Sequence, residues 1–448
     1  MKNKIKSETN VKFKNVTQKG ETPGEFKLVE GKRKKDEHCG YYLDNLNYDN
    51  ELIGDPLIRD IVNISVATFA VDRRINRRVS SNTLSTRKIE ITIEVSDKNK
   101  WLEAKDILEN TVSFLTYDTV KYNFIESKRL AEISKNEKLD LEGDCVSLFS
   151  GGLDSLSGSK FLNDKGKRAK FVSVQHGKTK KLLEDVYGQS HPGPHIIFRV
   201  RVPSLQSSKW AREFTQFSRS LMYLSFGLAV ANELNINELF IPESGIIATQ
   251  IGLNDSRLVS RTVNPRFIRY YRQLIRKLFP EWDIHISNPY KYKTKSEVIK
   301  ILIPEKKGLI PKTDSCSHSL WYGSKPCGMC MQCIIRNISL SVNELNPKEN
   351  FHEEYVDIFN DVDLTKPDKN YNKCVEKNPK TFSDGVTFTL ELIRLARDLQ
   401  NLSKDELMIK YPEFMDEKLF EMYERFGKEV VFILNNSNIT NNQKIFIN

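Results

Sequence analysis

Two groups of residues in this chain have the types and spacing to do chemistry. The first is Ser150-Gly151-Gly152-Leu153-Asp154-Ser155, set between the apolar run 145–149 and a stretch of helical texture. Two successive glycines let the backbone bend until its N–H groups converge on an anion. A helix opening just behind them adds the partial positive charge of its N-terminus. The hydroxyls of Ser150 and Ser155 can donate to phosphate oxygens. Asp154 cannot bind phosphate itself; its work is to hold Mg2+ or to fix the loop. No Gly-x-x-x-x-Gly-Lys-Ser/Thr string follows, which excludes a Walker-type loop.

The second group is Cys316, Cys327, Cys330 and Cys333, four of the seven cysteines in the chain. Overlapping Cys-x-x-Cys spacings fold three thiolates onto one cation, and Cys316 completes a closed tetrahedral set, the pattern of a structural Zn2+ site. An iron–sulfur cluster is the rival, and zinc is favoured because no electron-transfer context surrounds the cysteines. His318 could stand in as a ligand but reads as a bystander. Cys39, Cys145 and Cys374 are scattered. Cys145 lies in an apolar run and reads as a small core residue.

The elements that must position these groups follow from periodicity. The runs 145–149 and 171–174 are continuously apolar, as strands buried on both faces are. Residues 239–241 and 284–286 read as further strands, and 212–234 and 265–279 as helices with apolar residues at steps of three and four. Alternating strands and helices predict an α/β fold with a doubly wound parallel sheet and ligands at the carboxyl ends of its strands. Ahead of this core, residues 1–50 read as a polar, Lys-rich arm. Residues 51–140 read as a small α+β domain without a catalytic motif, with strands at 88–95 and 118–125 around a helix at 100–116. The core spans 141–344, and 345–448 reads as a helical C-terminal extension.

Bulk composition narrows the class. The chain has 448 residues, 39% hydrophobic and 29% charged, as soluble globular proteins do. No apolar run is long enough to span a membrane. The N-terminal stretch lacks the apolar core of a signal peptide, so a cytoplasmic location is expected. Lys and Arg number 69 against 59 Asp and Glu, a net charge of +10. That suits a nucleic-acid partner and suits equally a Lys-rich solvated surface.

The loop at 150–155 matches the PP-loop signature of ATP pyrophosphatases. Together with Cys327-Gly328-Met329-Cys330-Met331-Gln332-Cys333-Ile334-Ile335-Arg336 it resembles the QueC family, the 7-cyano-7-deazaguanine (preQ0) synthases. Weaker agreement runs through Arg219-Ser220, Lys293-Thr294-Lys295-Ser296-Glu297 and Thr313-Asp314-Ser315-Cys316, so the likeness covers about 145–340. It implies a fold like that of the adenine-nucleotide α-hydrolases, with ATP, Mg2+ and Zn2+ as cofactors. It also implies cleavage of ATP between the α and β phosphates and transfer of AMP to a 7-deazaguanine carboxylate. The resemblance puts Asp154, Arg219 and Lys293 in catalysis, 150–155 and His176 on the nucleotide, and Glu243, Ser244, Gly245 and Arg336 on the substrate. Glu243 serves equally as a residue capping the turn at Gly245.

There are departures. The family's acidic and aromatic substrate stretch is replaced by Glu243-Ser244-Gly245 and a longer, Arg-bearing run to Arg261, and long segments flank the core. In this the chain is similar to the QueC-like proteins of anti-phage operons, above all the QatC branch of the Qat system. That likeness implies that the acceptor is an amine of a co-encoded, QatB-like partner protein docked on the N-terminal domain. The alternatives are preQ0 synthesis for nucleic-acid modification and another PP-loop enzyme that modifies tRNA.

Overall fold

The computed structural model describes residues 8–17, 20–30, 38–43, 53–77, 86–128, 142–174, 195–202, 217–253, 260–317, 326–347, 355–362 and 379–437. Strands β1 (Glu8–Thr17), β2 (Gly20–Glu30) and β3 (His38–Leu43) occupy the segment that reads as a polar arm. The correction has a simple cause. Val11 and Phe13 face inward on β1, and Phe26 and Leu28 on β2, while Lys12, Glu25 and Lys27 point to solvent. A period of two was present, but the outward lysines dominate the composition. Strands β4 (Lys88–Val95) and β5 (Thr119–Glu126) follow, parallel to each other, with helix Lys98–Thr116 between them.

The second half holds β6 (Cys145–Leu148), β7 (Ala169–Val174), β8 (Ile196–Arg201), β9 (Glu238–Phe240) and β10 (His285–Ser287). Their order is β10-β9-β6-β7-β8, and every neighbouring pair is parallel. The chain moves from β6 to β7 on one side and from β9 to β10 on the other. The direction of winding therefore reverses between β6 and β9, and their carboxyl ends open onto the crevice where such sheets bind ligands.

β3 pairs antiparallel with β8, Tyr41 opposite Val200, and this joins both halves into one ten-stranded α/β sheet. The N-terminal α+β region is thus continuous with the core sheet. The seam is covered by helix Pro56–Arg74, which packs on helix Arg219–Glu233. Asp55 caps the first of these by accepting from the N–H groups of Leu57 and Ile58. Of the second, which was expected from 212, residues 212–216 fall outside the described set.

The C-terminal extension is helical from Pro379 onward, as expected. Helices Pro379–Asn401 and Glu417–Asn436 pack on each other, and the latter also packs on Met331–Val342 and Gly245–Thr249. One apolar cluster unites Cys327, Cys330 and Cys333 with Phe382, Leu392, Tyr423 and Phe426, so the extension is the outer wall of the cysteine segment. Among the described residues no helix is long and apolar enough to cross a membrane.

Candidate functional site

The loop after β6 is held at its start by Phe149, whose N–H donates to the carbonyl of Val172 at 2.8 Å. Gly151 has φ of 77°, a left-handed conformation that glycine adopts without steric cost. Gly152 is extended and precedes helix Leu153–Asp164 without any side-chain cap. Ser155 Oγ donates to the Gly152 carbonyl at 2.9 Å, and the other polar contacts within the loop are long. Gly152 N–H donates to Ser150 Oγ at 3.3 Å, Leu153 N–H to Ser315 Oγ at 3.3 Å, and Ser150 Oγ to Ser155 Oγ at 3.3 Å. Bonds near the upper limit of length are weak and readily exchanged for an anion's oxygens. The N–H of Asp314 donates to the carbonyl of Gly151 at 3.2 Å, so the loop rests on the residues just ahead of Cys316.

Asp154, on the first turn of that helix, is buried. Its Oδ2 lies 2.5 Å from Nζ of Lys295, which is 2% exposed, while its Oδ1 has no hydrogen-bond partner among the described residues. Burial opposes ionisation of Asp154, but the charge of Lys295 outweighs it and holds the carboxyl below the usual range. Glu243, in the loop after β9, is pushed the other way. Burial and the neighbouring Asp154 charge raise its pKa well above the usual carboxylate value, against the smaller pull of Lys295 and Arg219. Lys295 and Arg219 thus set positive charge beside two carboxyls whose pKa values are pushed apart, Asp154 down and Glu243 up.

These groups are set by tertiary clamps. Asn288, after β10, accepts from Glu243 N–H at 3.2 Å and donates to the Glu243 carbonyl at 2.7 Å. Ser244 is fully buried, and its Oγ has no hydrogen-bond partner among the described residues. Gly245 donates to the carbonyl of Lys293 at 2.9 Å. A Cβ at 245 would lie 2.3 Å from the Lys291 carbonyl oxygen and from Met422 Sδ, so only glycine fits. Lys295 opens helix Lys295–Lys300, whose capping box is Thr294 and Glu297. Thr294 Oγ1 donates to Glu429 Oε1 at 2.6 Å and Arg425 Nε to Glu297 Oε1 at 2.7 Å, so helix Glu417–Asn436 braces the lysine from outside.

The sequence-based site is only partly reproduced. Ser150, Gly151, Gly152, Leu153, Asp154, Ser155, Glu243, Ser244 and Gly245 come together, and the charge of Arg219 bears on Glu243. Lys293 is half-buried and contributes its carbonyl to Gly245, whereas Lys295 is the lysine that meets Asp154. The available signal was the capping box, which makes Lys295 the first helical residue. Arg336 is buried and spends its guanidinium on chain carbonyls and a hydroxyl. Nη2 donates to Ile310 O at 2.7 Å and Nη1 to Thr313 Oγ1 at 2.7 Å, which fixes the segment that carries Asp314 and Ser315. These bonds position that segment, while Arg336 Nε is buried without a hydrogen-bond partner among the described residues. His176 and His318 lie outside the described residues.

The four cysteine Sγ atoms lie within 4.8 Å of one another. Cys316 and Cys330 are 3.9 Å apart and Cys327 and Cys333 4.0 Å. Four thiolates about 2.3 Å from a tetrahedral ion would be separated by about 3.8 Å. The N–H of Cys330 donates to Cys327 Sγ at 3.3 Å and that of Cys327 to Cys316 Sγ at 3.4 Å, bonds that stabilise thiolate charge. The cluster could hold a metal ion such as zinc.

No family model matches the chain, and no curated protein matches it.

Proposed function

We propose that this chain is a QueC-like ATP-dependent ligase of the PP-loop class that adenylates a 7-deazaguanine carboxylate. One observation supports the reading above others. The Ser-Gly-Gly-Leu-Asp-Ser loop after β6 and the Glu243 loop after β9 meet where the winding reverses, with Lys295 against Asp154. A carboxylate is a poor acyl donor until its oxygen is turned into a good leaving group. In this scheme the carboxylate oxygen attacks the α-phosphorus of ATP and pyrophosphate departs. An amine nitrogen then attacks the acyl carbon, AMP leaves with the oxygen, and the amine loses a proton.

The N–H groups of 151–155 and the hydroxyls of Ser150 and Ser155 take the departing phosphates, helped by the cations Lys295 and Arg219. Asp154 Oδ1, buried and without a hydrogen-bond partner among the described residues, fits a magnesium ligand; the ion would neutralise phosphate charge. Glu243 faces the base edge, and two donors from a guanine-like ring would draw it toward its ionised form. Zinc at Cys316, Cys327, Cys330 and Cys333 is structural, tying the segment 313–316 to the loop. The acceptor is an amine of a co-encoded, QatB-like protein docked on the N-terminal region, in the cytoplasm, within an anti-phage system.

The test is pyrophosphate release from ATP with Mg2+ and 7-carboxy-7-deazaguanine. Release that Asp154→Asn abolishes, and a matching mass gain on a co-encoded small protein, are the expected results. Absence of release from folded, metal-loaded enzyme defeats the reading. Efficient nitrile formation from ammonia would replace the protein ligase by a preQ0 synthase.

A further inference from the structure

Helix Pro265–Leu278 contains Arg266, Arg269, Arg272, Arg276 and Lys277 and no acidic residue. Phe267, Tyr271, Leu274 and Leu278 bury one face, while Arg266, Arg269, Gln273, Arg276 and Lys277 form the exposed one. Cations three and four apart on a helix repel by a few tenths of a kcal/mol per pair, and those near the N-terminus also oppose the helix dipole. The face is thus arranged against the helix's own stability. Among the described residues its one ion pair is Lys277 with Glu103 at 2.8 Å, at the far end. Arg272 is turned aside and donates to the carbonyl of Ile286.

Aromatic rings are interleaved with these charges. The half-exposed Tyr270 ring lies 5.4 Å from the Arg266 guanidinium and 5.9 Å from that of Arg269. Arg266 also sits 5.2 Å over the ring of Phe114, which meets Tyr270 edge-on at 6.0 Å. Arg261 covers Phe114 at 4.3 Å and Tyr117 at 3.8 Å. The result is a strip of alternating guanidinium planes and rings running from Tyr117 along the helix.

We propose that this strip binds single-stranded RNA, an activity beyond the ligase chemistry and independent of it. Phosphates would pair with Arg266, Arg269 and Arg276, and unpaired bases would stack on Tyr270 and on the guanidinium planes. An acidic peptide would use the charges and leave the rings idle. A duplex presents no base face to stack. Gln273 is exposed among the cations, and the Tyr270 hydroxyl, which accepts from Arg266 Nε at 3.0 Å, keeps its own hydrogen to donate to the ribose 2′-hydroxyl that DNA lacks. A helix of this length spans about 20 Å, room for roughly three or four nucleotides.

The test is fluorescence anisotropy of a fluorescein-labelled 12-nucleotide single-stranded RNA with the full chain at low and moderate KCl. Arg266→Glu/Arg269→Glu should weaken binding at least tenfold and flatten the salt dependence, and Arg266→Gln/Arg269→Gln should do so in part. Tyr270→Ala should weaken it several-fold with the salt slope unchanged. Lys300→Glu/Lys307→Glu, exposed on another surface, should change it less than twofold. Unaltered melting temperature and metal content verify that the variants fold. Equal RNA binding by the charge-reversed protein overturns the proposal. So does equal or tighter binding of single-stranded DNA, duplex RNA or polyglutamate.

Discussion

Asp72 Oδ2 accepts from both the hydroxyl and the N–H of Ser218, at 2.8 and 3.2 Å, across 146 residues of chain. Asp72 belongs to a buried ion network. Arg87 Nη2 is 2.5 Å from Asp72 Oδ1 and from Asp118 Oδ2, and Arg77 Nη1 is 2.7 Å from Asp118 Oδ1. Ser218 immediately precedes the helix that begins with Arg219. The N-terminal region thus sets the place of a residue whose charge reaches Glu243.

Removing this link separates stability from positioning. Asp72→Asn leaves Arg77 and Arg87 with one buried carboxylate and should cost about 3–5 kcal/mol, read by chemical denaturation. Ser218→Ala should cost about 1 kcal/mol and lower the kcat/KM of pyrophosphate release several-fold through Arg219. An unchanged kcat/KM in Ser218→Ala would confine Asp72 to a structural role.

The lysine assignment can be settled by a pair of variants. Lys295→Met strands the buried Asp154 charge, so it should destabilise by about 3–5 kcal/mol and reduce activity at least a hundredfold. Lys293→Met should change activity only a few-fold, since it is the Lys293 carbonyl that Gly245 uses. Asp154 is depressed in the fold, so the pair stabilises above the ordinary carboxylate pKa and the gain is lost as pH falls through the lowered value. Acid unfolding of Lys295→Met should accordingly begin from a lower plateau and be less steep. Equal losses in both lysine variants would contradict the geometry.

Glu429 supplies a pH dependence near neutrality. Burial pushes its carboxyl up to about 7, with the hydrogen bond from Thr294 Oγ1 pulling the other way. A raised acid stabilises fully below its unfolded value and loses that contribution as pH rises through the folded value, here between about 4.5 and 7. The loss by pH 8 is on the order of 1–3 kcal/mol. Glu429→Gln keeps an acceptor for Thr294 Oγ1. It should match the parent at pH 5 and melt higher at pH 8. An identical pH profile for the two proteins would show that Glu429 stays ionised.

Metal content tests the cysteine cluster. Elemental analysis should find about one zinc per chain, and a chelator under reducing conditions should lower the melting temperature and loosen the loop through Asp314 and Ser315. Cys327→Ser, buried in the core, should lose both metal and stability. Iron with sulfide in place of zinc would reassign the site.

The loop 150–155 and the four cysteines were legible because each is a local string whose residue types carry the chemistry. Glu243 was legible only as a candidate, since its meeting with Asp154 depends on β9 lying beside β6, which no local pattern encodes. Lys295 was missed for a related reason. A lysine becomes a buried partner only when another element closes over it, and that element, Glu417–Asn436, lies more than a hundred residues further on. Strands β1–β3 were hidden by their outward lysines. β8 was hidden by Arg199 and Arg201, which interrupt its apolar run.

The antiparallel seam between β3 and β8 also imposes an order on biosynthesis. β1, β2, β4 and β5 can pair among themselves once the first third of the chain has left the ribosome. Gly40 cannot meet Arg201 until β8 has been made. Until then the outer edge of β3 is an open template, prone to recruit a neighbouring nascent chain. Closing so distant a pair is slow. A chain cut just before the core would meet the same difficulty from the other side, with β8 left as the bare edge.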